Sequence, residues 1–407
     1  MSNPTNEKGI QRFAGASGVS STYCYLTPVE DALMTVPTAR LQGRIQRVSI
    51  EGFRSLAKIE GLALPQLTVL IGANGAGKSN FIRFFEMLSW MLKSQKLQEF
   101  VQRNGWGDDQ FYMGARRTPR ITGELRIETQ RGFNDYRFGL AHLSASDSVM
   151  LMEEAYRFSG KNIEGEARWT QLEGGTKESA LPQQSNSTAK TIVHLLRQCA
   201  TYQFHDTSAN ASIRNGWDIT ESARLRSDGG NLAAVLLDLY ESMLPRYQQI
   251  VRQIQRVLPA FDDFVLEPVA GRVQLRWKGR FGHKTFGAHL TSDGSLRVFC
   301  LLTLLNLPED RLPDVLFLDE PELGLHPHAI SLVAEMVKRV AHTRQVFLAT
   351  QSPYMVDCFE LENVIVADVR DGATSLRTLP RDRYQEWLDD EYSVSDLWLK
   401  NPVGAVP

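Results

Sequence analysis

An α/β fold built on a mixed sheet, with an antiparallel β arm and a helical insertion, is what this 407-residue sequence predicts. Three observations carry that reading. Residues Gly72 to Ser79, Gly-Ala-Asn-Gly-Ala-Gly-Lys-Ser, lie between a short apolar run, Leu67 to Ile71, and a helix-forming stretch, Asn80 to Leu92. A second apolar run, Val315 to Leu318, ends in Asp319-Glu320-Pro321. Between the two, Arg120 to Phe158 holds three alternating segments around Ile121-Leu125-Ile127, Tyr136-Phe138-Leu140 and Val149-Leu151. Short unbroken apolar runs suit strands buried on both faces, and alternation broken by turn residues suits an antiparallel sheet.

Taken in order, residues 1–40 mix Gly, Ser, Thr and Pro without period and read as a loosely ordered extension. The first lobe, 41–158, opens with a strand from Arg44 to Ile50. Arg47 to Leu56 then alternates and leads through Gly61 to Leu67, as an edge hairpin beside the phosphate-binding loop. The helix after that loop is apolar almost all round, with Phe81, Ile82, Phe84, Phe85, Leu88, Met91 and Leu92, so it needs cover on more than one side. Residues 159–285 form an insertion and helical region: a solvated stretch rich in Gly, Ser, Gln and Glu, then helices at about 189–199 and 231–257. No heptad run supports a long coiled-coil arm, and no repeat has a solenoid or propeller period. The second lobe, 286–407, holds an apolar helix from Leu296 to Leu307, the run ending in Asp319, an amphipathic helix from Ile330 to Val340 and a strand from Gln345 to Ala349.

Composition excludes several classes. Hydrophobic residues at 43%, charged residues at 23% and a net charge of −2 describe an ordinary globular chain with no global pull toward nucleic acid, so any DNA-binding surface is local. The four cysteines, Cys24, Cys199, Cys300 and Cys358, form no Cys-x-x-Cys pair, which argues against a zinc module or disulfide framework and suits a reducing cytoplasm. The longest uncharged apolar-rich stretch, Val298 to Leu307, is too short to span a bilayer, and residues 1–40 lack the order of a secretory signal.

The chemistry concentrates in four places. Gly72 to Ser79 matches Gly-x4-Gly-Lys-Ser: backbone N–H groups across Asn74, Gly75, Ala76 and Gly77 can cradle phosphates, Lys78 can reach the β- and γ-phosphates, and Ser79 can offer its hydroxyl to Mg²⁺. Asn80 follows at the helix N-terminus, where a phosphate is favoured. Asp319 ends an apolar strand in the manner of a Walker B motif, placed to hold the Mg²⁺ shell, while Glu320 points to the other side and can polarise a water. A chance glycine turn explains the first motif, and a surface Asp-Glu turn the second, only if each stands alone. Ser292-Asp293-Gly294-Ser295, an ordinary turn and N-cap by itself, gains meaning from its place upstream of Asp319. His326 and His328 read as loop and cap histidines, and His205-Asp206 as structural.

Together these motifs resemble the RecF/SMC/OLD-like branch of ABC ATPases, specifically the stand-alone bacterial ATPases with an AAA_21-type domain, over about residues 44–400. Ser292 to Ser295 resembles the ABC signature motif, Pro321 to Pro327 falls at the D-loop, and Thr350-Gln351-Ser352-Pro353 ends the switch strand. Tyr202 to Ser208, Leu225 to Leu232 and Tyr392 to Trp398 are similar to stretches of the same group. The resemblance implies ATP and Mg²⁺ as ligands. It also implies an ATP-dependent head dimer in which Ser292, Asp293 and Gly294 complete the site of a second copy, in DNA repair or antiphage defence. Gln351 stands where transporter ATPases carry a histidine and cannot accept a proton at neutral pH, which implies slow or conditional hydrolysis. Gln110 is the candidate Q-loop glutamine. The roughly fifty residues after Ser352 are too few for the nuclease domain of some relatives, so a nuclease, if there is one, is expected on another chain. Arg116, Arg117, Arg120, Arg131 and Arg137 are candidates for DNA phosphates along the arm. The expectation is a cytoplasmic ATPase without a membrane partner. A nucleotide-gated scaffold in an antiviral complex is the rival, and a transporter subunit a third reading.

Overall fold

Two six-stranded sheets and one helix between them organise the residues that the computed structural model describes: 43–94, 96–161, 167–282, 284–390, 392–400 and 403. The expected extension, 1–40, lies outside the described residues. Strands β1 (Arg44–Phe53) and β2 (Leu56–Ala63) form the hairpin, and β3 (Leu67–Ile71) leads into α1 (Lys78–Ser94) and α2 (Leu97–Arg103). Then come β4 (Arg120–Glu128), β5 (Gly132–Leu143), β6 (Ser148–Gly160) and the short β7 (Thr170–Gln171). These complete the antiparallel arm, in the order β2-β1-β4-β5-β6-β7. The hairpin is therefore the edge of the arm, not of the sheet that carries β3. Its turn still reaches the phosphate-binding loop, because Ser55 Oγ accepts from Asn80 Nδ2 at 2.8 Å.

Next are α3 (Ser187–Arg197), β8 (Cys199–Tyr202), β9 (Trp217–Asp218), α4 (Leu232–Ser242) and α5 (Leu244–Val257). The single helix expected over 231–257 is two, broken at Met243 (φ −141°), because Pro245 lacks an N–H and is tolerated only in the first turn of α5. Small strands β10 (Phe261–Phe264), β11 (Arg272–Val273), β12 (Arg276–Gly279) and β13 (Thr285–Gly287) precede α6 (Asp293–Leu304) and β14 (Val315–Asp319). The chain continues with α7 (Pro327–Ala341), β15 (Gln345–Thr350), α8 (Pro353–Val356), β16 (Val364–Arg370), β17 (Ala373–Thr378), α9 (Arg381–Asp389) and α10 (Val394–Leu399).

The core sheet runs β17-β16-β3-β15-β14-β8, parallel except for the edge strand β17. β3, β14 and β15 are buried at every residue, as strands covered on both faces must be. β8 falls in the stretch 159–285 read as an insertion, yet it pairs with β14. No helix among the described residues is long and apolar enough to cross a membrane.

Aromatic residues show why α1 is apolar all round. Phe85 packs on Phe317 and Phe347 of the core sheet, with centroids 5.1 and 5.9 Å away, while Phe84 packs on Phe53 and Phe138 of the arm at 5.7 and 6.1 Å. One helix thus serves two sheets, and truncating either ring would cost about 3–5 kcal/mol. Gln345, fully buried at the start of β15, joins the sheets by hydrogen bonds. Its Oε1 accepts from Ile45 N at 2.9 Å and its Nε2 donates to Ile45 O at 2.9 Å and Pro65 O at 3.2 Å.

Candidate functional site

The loop between β3 and α1 depends on backbone shapes that favour glycine. Gly72 (φ +151°) lies so close to β16 that a Cβ would fall 2.2 Å from Ala367 O, and a Cβ on Gly77 (φ +97°) would meet Thr374 Oγ1 at 1.9 Å. At the exposed apex a Cβ on Gly75 (φ +79°) would meet nothing within 4 Å, whereas Ala76 and Gly77 are buried. Lys78 is buried at the base of the loop and donates to the carbonyls of Gly72 (2.7 Å) and Ala73 (2.9 Å). Burial pulls its ammonium below the ordinary lysine value, against the opposing pull of Glu320, Asp319 and Glu322.

Across from α1, parallel pairing brings the ends of β14 and β15 together. Ser79 Oγ donates to Asp319 Oδ2 at 3.2 Å, and Gln203 Nε2 donates to the same oxygen. Burial raises the Asp319 carboxyl above its ordinary value, and the bonds from Gln203 and Ser79 offset part of that rise. His205 Nε2 lies 3.1 Å from Asp319 O. Glu320 leaves the strand in a left-handed conformation (φ +46°), with its N–H held by Ala349 O at 2.9 Å. That bend, unusual for a residue with a Cβ, turns its carboxylate away from Asp319 and onto Gln351, whose Nε2 donates to Glu320 Oε1. Ser79 hydroxyl and Asp319 carboxylate offer two oxygen donors, which fits magnesium, an ion that takes one or two protein oxygens and keeps several waters.

The signature residues stand elsewhere. Ser292 caps α6, its Oγ accepting from Ser295 N at 3.3 Å, and exposed Asp293 pairs with Arg214 at 3.2 Å. Gly294 lies against the D-loop, where a Cβ would sit 2.9 Å from Gly324 O. Arg297 fastens this contact, donating to Phe204 O (3.0 Å), Leu323 O (3.0 Å) and His205 O (3.3 Å).

Sequence reasoning missed Gln203. It lies in the stretch Tyr202 to Ser208 singled out by resemblance, and a polar residue just past a strand end was the available signal. Gln110 is fully buried with its amide committed: Oε1 accepts from Arg54 Nη2 at 3.0 Å and Nε2 donates to Asn104 O and Trp106 O, both at 3.1 Å. It holds the turn of the hairpin, and the glutamine that reaches Asp319 is Gln203. Arg137 stacks on Trp169, 4.3 Å from the ring centroid, and so departs from the exposed Arg116, Arg117, Arg120 and Arg131. His326 caps α7, its Nδ1 accepting from His328 N at 3.4 Å.

This fold and these motifs define an ABC-type P-loop ATPase head of the RecF/SMC branch. The AAA_21 model, described as "AAA domain, putative AbiEii toxin, Type IV TA system", matches residues 67–161 and 208–357, more than half of the chain, and the chain belongs to this family. It is similar to the DNA replication and repair protein RecF of Anaeromyxobacter sp. (strain Fw109-5), 25% identical over 247 residues, 56% of this chain and 61% of that protein. The chain thus spans about three-fifths of the length of that relative. In fold it is similar to an SMC head bound to the C-winged helix domain of ScpA, with TM-score 0.52 and 13% identity over 84% of this chain and 99% of that one. It is equally similar to a Pyrococcus furiosus SMC head with an extended coiled coil bound to the C-terminal domain of ScpA, with TM-score 0.52 and 12% identity over 86% and 99%.

Proposed function

We propose that the chain hydrolyses ATP to ADP and phosphate, and that two copies close as heads around ATP and magnesium to control DNA processing or an effector on another chain. The observation that carries this reading is the convergence of Lys78, Ser79, Asp319, Glu320 and Gln351 at the ends of three adjacent parallel strands. Backbone N–H groups of Asn74 to Gly77, with Asn80 at the helix start, hold the phosphates, and Lys78 supplies positive charge. Ser79 and Asp319 hold magnesium, which when bound neutralises charge on the phosphate oxygens. Glu320 accepts a proton from the attacking water, and Gln351 orients its carboxylate. Ser292, Asp293 and Gly294 present the N-terminus of α6 to the nucleotide of the second copy, a reading supported by the exposure of Ser292 and Asp293 beside Leu290 and Leu323, themselves exposed.

The RecF similarity supports a role in genome maintenance, and the exposed Arg116, Arg117 and Arg120 at the arm are the residues to contact DNA. Antiphage defence, with a nuclease or toxin as effector, is the other setting, and the cytoplasm the expected compartment. A glutamine at the switch position favours a second reading, a nucleotide-gated scaffold in which binding outweighs turnover. Glu320→Gln separates the two. On the hydrolytic reading it keeps ATP affinity, lowers turnover by about 10²–10⁴-fold and accumulates a dimer with ATP in light scattering. Unchanged turnover removes the role given to Glu320, and a wild-type chain that binds ATP without turning it over leaves the scaffold.

A further inference from the structure

A buried carboxylate at the edge of the hydrolytic machinery has no part in it so far. Glu322, three residues beyond Asp319, is 9% exposed. Its Oε1 accepts from the Thr350 hydroxyl and from Gln351 N at 3.2 Å, and its Oε2 has no hydrogen-bond partner. A buried charge with an unpaired oxygen is expensive, and an apolar side chain of similar size would fill the space at lower cost, so packing does not account for a glutamate here. What Oε1 holds is specific. Thr350 is the fully buried last residue of β15, and Gln351 is the first residue beyond the strand. The same Gln351 places its amide on Glu320 Oε1, while Glu320 N is fixed to β15 through Ala349 O at 2.9 Å. The backbone of Glu320 is therefore set by the strand, whereas its carboxylate is set by an amide whose own backbone hangs on Glu322.

We infer that Glu322 is a positioning residue for hydrolysis: it fixes the backbone of Gln351 so that the Gln351 amide holds the Glu320 carboxylate toward the attacking water. This rests on the hydrolytic reading above. Among the described residues Glu322 makes no hydrogen bond to the phosphate loop, Ser79 or Asp319, and its pull on Lys78 is the weakest of the three carboxylates, so its loss falls mainly on turnover. An ångström of misplacement at a reacting group costs about 10²-fold in rate, which sets the scale.

The test is steady-state hydrolysis and binding of a fluorescent methylanthraniloyl-ATP, on the full chain, for wild type, Glu322→Met, Glu322→Gln, Thr350→Val and Glu320→Gln. Glu322→Met, close in volume but without an acceptor, should lower kcat by about 10²-fold with KM and probe affinity within about twofold. Glu322→Gln, which keeps an acceptor oxygen, should recover most of the rate, and Thr350→Val, which removes one of two donors, should lower kcat by about threefold. An unchanged kcat in Glu322→Met overturns the inference, as does an equal loss of rate and affinity. If Glu322→Met does not fold, the other two decide: Glu322→Gln as slow as Glu320→Gln, or Thr350→Val at the wild-type rate, overturns it. A wild type that hydrolyses ATP and is silenced by Glu320→Gln, beside a fully active Glu322→Met, removes this inference alone. A wild type that binds the probe without turnover removes the hydrolytic reading with it.

Discussion

The two halves of the proposed ATP site are built in opposite ways. Around Gly72 to Ser79 the groups are buried or bonded to one another: Lys78 to the loop carbonyls, Ser79 and Gln203 to Asp319, Gln351 to Glu320. At Ser292 to Gly294 they are displayed, with Ser292 and Asp293 exposed and their side chains bonded to Ser295 and Arg214. A pre-assembled half costs little reorganisation when it meets its ligand, while a displayed helix N-terminus has unsatisfied N–H groups to offer to something outside the chain. On the proposed function, the contrast separates residues that bind nucleotide within one copy from residues that act between copies.

Three changes bear on that contrast. Lys78→Ala should have the largest effect, removing a charge-assisted contact to phosphate worth about 3 kcal/mol, roughly 10²-fold in ATP affinity by calorimetry. Retained affinity would break the comparison on the buried side. Ser292→Arg should leave the ATP affinity of the single copy within about twofold yet weaken ATP-dependent association by about 30-fold in light scattering, because a long charged side chain would block the α6 N-terminus. Loss of affinity in the monomer would show that the displayed half serves its own chain. The smallest effect is on pH dependence. Burial holds the carboxyls of Asp319 and Glu322 above their ordinary values, so the folded chain keeps protons that the unfolded chain releases. Their contribution to stability is complete below the ordinary carboxylate range and is lost as pH rises through the raised values. The melting temperature should fall as pH climbs out of that range, and Glu322→Gln should flatten the fall. A steeper fall in the variant would mean that the carboxylate is stabilised, not strained, by its surroundings.

Much of the frame was legible because it is written in local patterns. An unbroken apolar run gave β3 and β14, the Gly-x4-Gly-Lys-Ser spacing placed the loop between a strand and α1, and Ser292 announced α6 three residues before the N–H it caps. The apolar circumference of α1 told that it must be covered on more than one side, though not by what. The errors have a common origin. Gln110 was a Q-loop candidate by residue type alone, and its amide is bonded to Arg54, Asn104 and Trp106. β8 was lost inside a region judged by helix signals, since four residues carry too little periodicity to declare a strand.

The sequence by itself determined which short segments could cradle phosphate, end a buried strand in carboxylates or open a helix, because each depends on neighbours within a turn or two of chain. Only the tertiary structure decided that Gln203 reaches Asp319 from 116 residues away, that Gln345 binds the arm to the core, and that Glu322 holds the backbone of Gln351. Those bonds join side chains whose own segments are ordinary. They form because parallel strands set side by side bring residues distant in sequence to one end of a sheet, and buried polar groups there must find partners.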